Sequence, residues 1–169
     1  MKRISKVKEA AYFAISVHGI QKYDGQPYYY HLEQVVDILK EFGFTEDKYI
    51  ISGYLHDTLE DTPISYNDIK NKFGEEIADI VYCVTDELGK NRKERKLKTY
   101  PKIASNTDAI IIKLADRIAN VKNSIRKKPE LASMYKKEFS DFKTALYSPN
   151  TETDEMWDEL ENIINVEVS

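Results

Sequence analysis

The sequence predicts an all-α fold: a single compact domain of about eight to ten helices spanning residues 1–169. Three observations carry that expectation. Apolar residues recur at three- and four-residue steps through most of the chain. Six glycines and five prolines in 169 residues leave little punctuation between those runs. No stretch alternates apolar and polar residues over five or more positions, as a half-buried strand would.

Taken in order, Ile4, Val7, Ala11, Ala14 and Ile15 form one stripe of a first helix that ends near Gly19. The polar stretch Lys22-Tyr23-Asp24-Gly25-Gln26-Pro27 reads as a turn into a second helix, with His31, Val35, Ile38 and Leu39, which stops around Gly43. Thr45, followed by Glu46 and Asp47, suits the N-cap of a third helix running to about Glu60 and closed by Pro63. Ser65 and Asp68 have capping-box spacing at the head of a short helix that stops near Gly74. Further helices fit Glu75–Glu87, Arg92–Tyr100, Thr107–Ser124, Glu130–Tyr147 and Glu152–Asn165. The last of these carries Met156, Leu160, Ile163 and Ile164 on a stripe suited to packing against the domain. Ile110-Ile111-Ile112 is β-branched enough for a strand, but it runs straight into Lys113-Leu114-Ala115-Asp116-Arg117, so a buried helix is preferred.

Composition limits the function classes. Hydrophobic residues make up 41% and charged residues 32%, which suits a soluble globular domain. The formal charge of −4 argues against a protein whose main task is to coat nucleic acid, yet leaves room for a small anionic substrate in a locally positive pocket. The single cysteine, Cys83, sits in an apolar run and is expected in the core, with no disulfide framework. No apolar run approaches the roughly 18 residues that span a bilayer. The N-terminus lacks a signal peptide's apolar stretch, so no membrane association and a cytoplasmic location are expected. A homo-oligomer is left open.

Chemistry concentrates around His56-Asp57. On one continuous helix, Glu60 would stand four residues beyond His56 and Asp61 four beyond Asp57, crowding carboxylates onto one face. Such crowding costs like-charge repulsion unless a cation lies between them, and a divalent metal ion is the economical candidate. The alternative is a solvated acidic helix end. His31 sits on an otherwise apolar face, and Asp116 lies inside a strongly apolar helix. A buried carboxylate needs a cation, and Lys113 or Arg117 would serve Asp116 as readily as a metal. Two imidazoles and two carboxylates together suit Mn²⁺, Fe²⁺ or Zn²⁺ better than Ca²⁺.

Four segments also match a known family in order: Ala10-Ala11-Tyr12-Phe13-Ala14 through His18 and Gln21; Pro27-Tyr28 with His31; Leu55-His56-Asp57-Thr58 with Glu60-Asp61-Thr62; and Lys113-Leu114-Ala115-Asp116-Arg117 with Asn120. Over about residues 5–147 the chain resembles the HD-domain superfamily, specifically the hydrolase domain of RelA/SpoT homologues, including stand-alone small alarmone hydrolases. The resemblance implies that His31, His56, Asp57 and Asp116 bind one divalent ion, Mn²⁺ before Fe²⁺ or Zn²⁺. It implies that Glu60 and Asp61 position or activate the attacking water and that Asn120 contacts the nucleoside. It implies removal of the 3′-pyrophosphate from ppGpp, giving GDP and pyrophosphate. No synthetase half follows, so the expectation is degradation of an alarmone and not its synthesis.

Phosphate charge would be met by Lys22, Arg95, Lys96, Lys113 or Arg117, with Arg95 the preferred member of the run 91–98. The alarmone hydrolases carry a basic pair between Gln21 and Gly25, whereas this chain has only Lys22, followed by Tyr23, which could stack on a base. Two alternatives follow: an HD phosphatase for another nucleotide, NADPH-like or a dNTP, and a non-catalytic nucleotide-binding module. The Glu60-Asp61 pair speaks against the second, because a pure binder has no use for a water-activating carboxylate. His18 is expected to support the site without joining the ligands.

Overall fold

The computed structural model describes residues 4–168. It is helical apart from one hairpin, in agreement with the all-α expectation. Helices α1 (Lys6–His18), α2 (Tyr29–Glu41), α3 (Asp47–Leu55), α4 (Thr58–Asp61), α5 (Tyr66–Phe73), α6 (Glu75–Val84), α7 (Arg92–Ala104), α8 (Thr107–Lys127), α9 (Pro129–Leu146) and α10 (Asp154–Asn162) follow in order, and a π-helical turn (Ile163–Glu167) is the last element among the described residues. No helix among the described residues is long and apolar enough to cross a membrane.

Helix α8 is the shaft of the fold. The Asn106 side chain opens it, accepting from the Ala109 N–H at 3.1 Å, and Arg126 and Lys127 suit its C-terminal dipole. Ile111, Ile112, Leu114, Ala115, Ile118, Ala119 and Val121 are fully buried, because α2, α3, α6, α7, α9 and α10 all pack on it. The β-branched run 110–112 is therefore helical, as preferred from the sequence. Met156, Trp157 and Leu160 of α10 are buried, and Ile163 and Ile164 continue that stripe through the π-turn. Cys83 is buried and unbonded.

Two departures matter for the site. The expected third helix is not continuous: α3 stops at Leu55, and Asp57, at φ −100° and ψ 0°, turns the chain before α4 starts at Thr58. Side chains take up the freed carbonyls, with His56 Nδ1 on Gly53 O at 2.8 Å and the Thr58 hydroxyl donating to Leu55 O at 2.7 Å. The N-cap of α3 is Glu46, without a side-chain bond, rather than Thr45. The second departure is a hairpin where a plain turn was expected. β1 (Lys22–Tyr23) pairs antiparallel with β2 (Gln26–Pro27), Tyr23 opposite Gln26. Asp24 and Gly25 both have positive φ (50° and 82°), the requirement of a two-residue type I′ turn. The Asp-Gly dipeptide was the available signal.

Gly53 sets the approach of α3 to α2. A β-carbon there would lie 2.9 Å from Leu39 Cδ1 and 3.1 Å from Val36 Cγ2. The two helices that bring His31 and His56 together can cross this closely only because that side chain is missing. The Ser65–Asp68 capping box forms as expected, with the Ser65 amide donating to Asp68 Oδ2 at 2.8 Å.

Candidate metal centre and reaction cavity

Three elements deliver four side chains to one point. His31 stands in the first turn of α2, His56 and Asp57 occupy the break between α3 and α4, and Asp116 projects from the middle of α8. His31 Nε2 lies 3.2 Å from Asp116 Oδ1 and 3.7 Å from Asp57 Oδ2. His56 Nε2 lies 2.9 Å from Asp57 Oδ2 and 3.5 Å from Asp116 Oδ1. Both rings and Asp116 are buried.

The donor set fits a divalent cation. Because His56 Nδ1 is engaged by Gly53 O, the neutral imidazole turns its Nε2 lone pair to the cluster. That Nε2 is buried and makes no hydrogen bond, its 2.9 Å approach to Asp57 being misaligned for one. His31, His56 and Asp116 each offer a ligand atom within 4.8 Å of the others, a group that can hold a metal ion. Asp57 is not one of that group of three, but its Oδ2 lies against both imidazoles.

The electrostatics agree. Burial opposes charge on His56, but Asp57 and Asp116 overcome it and hold the imidazole well above its ordinary value of 6.5. Burial likewise disfavours the carboxylates, yet His56 holds Asp57, and Lys113 with the two histidines holds Asp116, well below the ordinary 3.8. The cluster thus carries two carboxylates that demand positive charge. A divalent ion supplies it without protonating the imidazoles.

Asp116 answers the choice left open by its sequence context, because it divides its oxygens. Oδ2 accepts from Lys113 Nζ at 2.9 Å, while Oδ1 faces the histidines and accepts from Asn120 Nδ2 at 2.8 Å. A salt bridge and an oxygen turned to the histidines coexist in one side chain.

The segment from His18 to Tyr28 braces this centre. His18 Nδ1 meets Gln21 Oε1 at 2.9 Å, and Gln21 Nε2 donates to Asp61 Oδ2 at 3.0 Å. The Tyr28 hydroxyl donates to Asp57 Oδ2 at 2.5 Å. Tyr23 stacks on His31 with ring centroids 4.4 Å apart and donates to Asn120 Oδ1 at 2.5 Å. Glu60 Oε1 accepts from the Asp86 amide at 2.7 Å, and burial together with Asp57 raises the Glu60 carboxyl above its usual range.

At the cluster is a cavity of about 180 Å³, lined by Tyr23, Glu60, Asp61, Asp86 and Asn120 together with the cations Arg92, Lys96, Lys113 and Arg117. Lys96 is paired with Asp86 at 2.8 Å, and burial with the neighbouring Lys113 lowers its ammonium to about 8. Glu138 of α9 takes Arg92 Nε at 2.5 Å and Arg117 Nη1 at 3.4 Å, fixing both guanidinium groups.

Two expected substrate contacts are not in this wall. Lys22 is exposed, because its neighbour Tyr23 points inward and successive strand residues face opposite ways. Arg95 lies beside the Gly89 turn; on α7 the residues facing the cavity are Arg92 and Lys96, one helical turn apart. Arg92 and Glu138 were missed from the sequence, Arg92 because the basic run gave no means of choosing a face.

Residues 10–149 match the family model described as "HD domain". The chain belongs to the HD-domain family. Relatives of this HD domain include a guanosine-3′,5′-bis(diphosphate) 3′-pyrophosphohydrolase of Aquifex aeolicus (strain VF5), 40% identical over 123 residues, covering 69% of this chain and 17% of that protein. A Danio rerio guanosine-3′,5′-bis(diphosphate) 3′-pyrophosphohydrolase, MESH1, is 34% identical over 128 residues, covering 72% of this chain and 71% of that one. A solved structure of a metazoan orthologue of SpoT, described as hydrolysing ppGpp with a role in starvation responses, aligns with a TM-score of 0.82 at 25% identity, over 98% of this chain and 97% of that one. The HD domain spans about a sixth of the length of the first bacterial relatives, 17% in Aquifex and 16% in Synechocystis.

Proposed function

We propose that this HD domain is a Mn²⁺-dependent phosphohydrolase that removes the 3′-pyrophosphate from ppGpp, giving GDP and pyrophosphate, and works in the cytoplasm as one domain over its whole length. The observation that carries the reading is the convergence of two imidazole rings and Asp116 within 4.8 Å, at a cavity also lined by Arg92, Lys96, Lys113 and Arg117. His31, His56, Asp57 and Asp116 would hold the ion; Fe²⁺ and Zn²⁺ suit the same donors. A divalent ion held there polarises a phosphoryl oxygen and lowers the pKa of water.

The chain's own groups do the rest. Glu60, its carboxyl raised by burial and Asp57, is suited to take the proton of the attacking water as that oxygen bonds to phosphorus and the P–O3′ bond breaks. Asp61, tethered by Gln21, aligns the water from the other side. Arg92, Lys96, Lys113 and Arg117 face the phosphate charge across the cavity. Tyr23 and Asn120, beside His31, meet the sugar edge of the substrate.

One observation favours a second reading, hydrolysis of a different nucleotide. The hairpin offers the cavity no cation, since Lys22 faces outward and Tyr23 is committed to His31 and Asn120. Both readings are tested by one panel: ppGpp, NADPH, dNTPs and cyclic dinucleotides with Mn²⁺, reading released phosphate and pyrophosphate. Pyrophosphate release from ppGpp, abolished by chelator and restored by manganese, is expected. Turnover of another nucleotide with ppGpp untouched moves the assignment to the second reading, and turnover indifferent to chelator removes the metal.

A further inference from the structure

Two cations of the reaction cavity are held from outside it. Arg92 and Arg117 both line the cavity, whereas Glu138, their common partner, lines the larger groove of about 750 Å³ between α7 and α9. One carboxylate thus joins three helices: Arg92 on α7, Arg117 on α8 and its own α9.

The contact is directional. Arg92 donates from Nε to Oε1 at 2.5 Å and from Nη2 to Oε2 at 3.1 Å, so one edge of its fork is filled. A guanidinium carries its N–H donors in one rigid plane, and those left on Nη1 and Nη2 remain for an anion. Arg117 donates from Nη1 to the same Oε2 at 3.4 Å. Its guanidinium lies 4.2 Å from the Phe142 ring centroid and 4.9 Å from that of Tyr135, and its side chain is 3% exposed. Burial opposes charge on Glu138, but Arg92 and Arg117 overcome it and hold the carboxyl below its usual range. An arginine side chain has much rotamer freedom to lose, so a guanidinium fixed before the anion arrives binds it more tightly.

We propose that Glu138 is a positioning residue for phosphate binding: it stays outside the cavity and acts by presenting the remaining donors of Arg92 and Arg117 to the phosphate groups of the substrate. The proposal rests on the phosphohydrolase reading for what the substrate is, but not for anion binding at the two arginines. Orientation and charge make opposite demands here. Removing the Glu138 carboxylate makes the cavity more positive, so charge alone would tighten phosphate binding, whereas loss of orientation weakens it.

The test uses Glu138→Gln, which keeps the shape but turns donors toward donors. Binding of inorganic phosphate to the Mn²⁺-loaded protein, read by calorimetry, is expected to weaken about tenfold or more, the loss of a charge-assisted hydrogen bond. In turnover, KM for ppGpp should rise by a similar factor with kcat within about threefold, and Mn²⁺ affinity should not change. In an Arg92→Ala background the further loss from Glu138→Gln should shrink to about threefold or less, because its main route is gone. Lys143→Gln, which breaks the α9 ion pair with Glu161 instead, should leave phosphate affinity and KM as they are. Should Glu138→Gln not fold, Glu138→Asp, with its anion drawn back by one methylene, is expected to weaken phosphate in the same direction. Phosphate bound equally or more tightly by the Glu138 variants overturns the proposal. So does an undiminished effect in the Arg92→Ala background, or an equal rise of KM in Lys143→Gln. Absence of Mn²⁺-dependent turnover in the unaltered protein, with phosphate binding still weakened by Glu138→Gln, would sink the phosphohydrolase reading and leave the positioning role in place.

Discussion

Replacing Asp116 by asparagine separates its two duties. The substitution keeps shape and removes charge, so Lys113, whose Nζ lies 2.9 Å from Asp116 Oδ2, loses its close counter-ion inside the fold. Both side chains are largely buried, at 13% and 8% exposure, so the pair is not screened as a surface bridge would be. Breaking a buried pair by removing one member costs about 3–5 kcal/mol. For a domain of this size each kcal/mol moves Tm by about 2–4 °C, so the metal-free variant should melt roughly 6–20 °C lower. Adding Lys113→Met removes the stranded ammonium, and the double variant should recover most of that loss. Metal behaves differently. Manganese at a hundred times its Kd stabilises a native state by about 2.7 kcal/mol, or roughly 5–11 °C here. The unaltered protein should show that shift in calorimetric melts with Mn²⁺ against chelator, and the stability-restored double variant should show none. A double variant that Mn²⁺ still raises by the full amount would refute Asp116 as a ligand and leave it only the salt bridge.

Glu60→Gln should retain Mn²⁺ in calorimetry yet lose about 10²–10⁴-fold in kcat; unchanged kcat removes Glu60 as the base. The active form is the carboxylate and its pKa is raised, so the acid limb of the rate profile should sit above the usual glutamate range and vanish in that variant. Tyr28→Phe takes one donor from Asp57 Oδ2 and should weaken Mn²⁺ binding about 10–100-fold, read by competition with a chelating dye. Gly53→Val should cost about 1–3 kcal/mol by overpacking against Leu39 and Val36, and a Tm equal to that of the unaltered protein would contradict the close crossing of α2 and α3. In the metal-free protein, Asp57 and Asp116 are depressed below 3.8, so their contribution is full above that value and lost as pH falls through the depressed range; His56, raised above 6.5, contributes fully below 6.5 and loses it as pH rises. Metal-free melts should therefore peak between those limits and fall on both sides.

The helices were legible wherever one face alone decides burial. Periodicity placed α1, α2 and α8, and the capping box placed α5. The break at His56-Asp57 was not legible, because nothing there is a glycine or proline. It is made by side chains capping carbonyls, His56 on Gly53 and Thr58 on Leu55, and those bonds exist only once the turn has formed. The break also replaces the one-face picture of Glu60 and Asp61. They follow a turn, which lets Glu60 reach the Asp86 amide while Asp61 reaches Gln21. Lys22 and Arg95 failed as cavity residues for a common reason: each is one member of a basic set whose facing is fixed by tertiary packing, the hairpin's pleat for one and the seat of α7 on α8 and α9 for the other.

The arrangement of charge gives the cavity its direction. Asp57 and Asp116 contact the histidines, and Arg92, Lys96, Lys113 and Arg117 line the same cavity, in a chain whose formal charge is −4. Four cations this close repel one another unless each has an anion, and Asp116 serves Lys113, Asp86 serves Lys96, and Glu138 serves both arginines. Two of those anions are outside the metal cluster. A phosphate entering the cavity therefore meets cations already paired with Asp86, Glu138 and Asp116, beside the carboxylates Asp57, Glu60 and Asp61 that line the same space. Binding the phosphate then asks for positive charge at the cluster to balance Asp57 and Asp116. That makes metal and substrate mutually reinforcing: each lowers the repulsion the other would meet, so Mn²⁺ affinity should rise when a phosphate ligand is present, by the same factor that Mn²⁺ raises the affinity for phosphate.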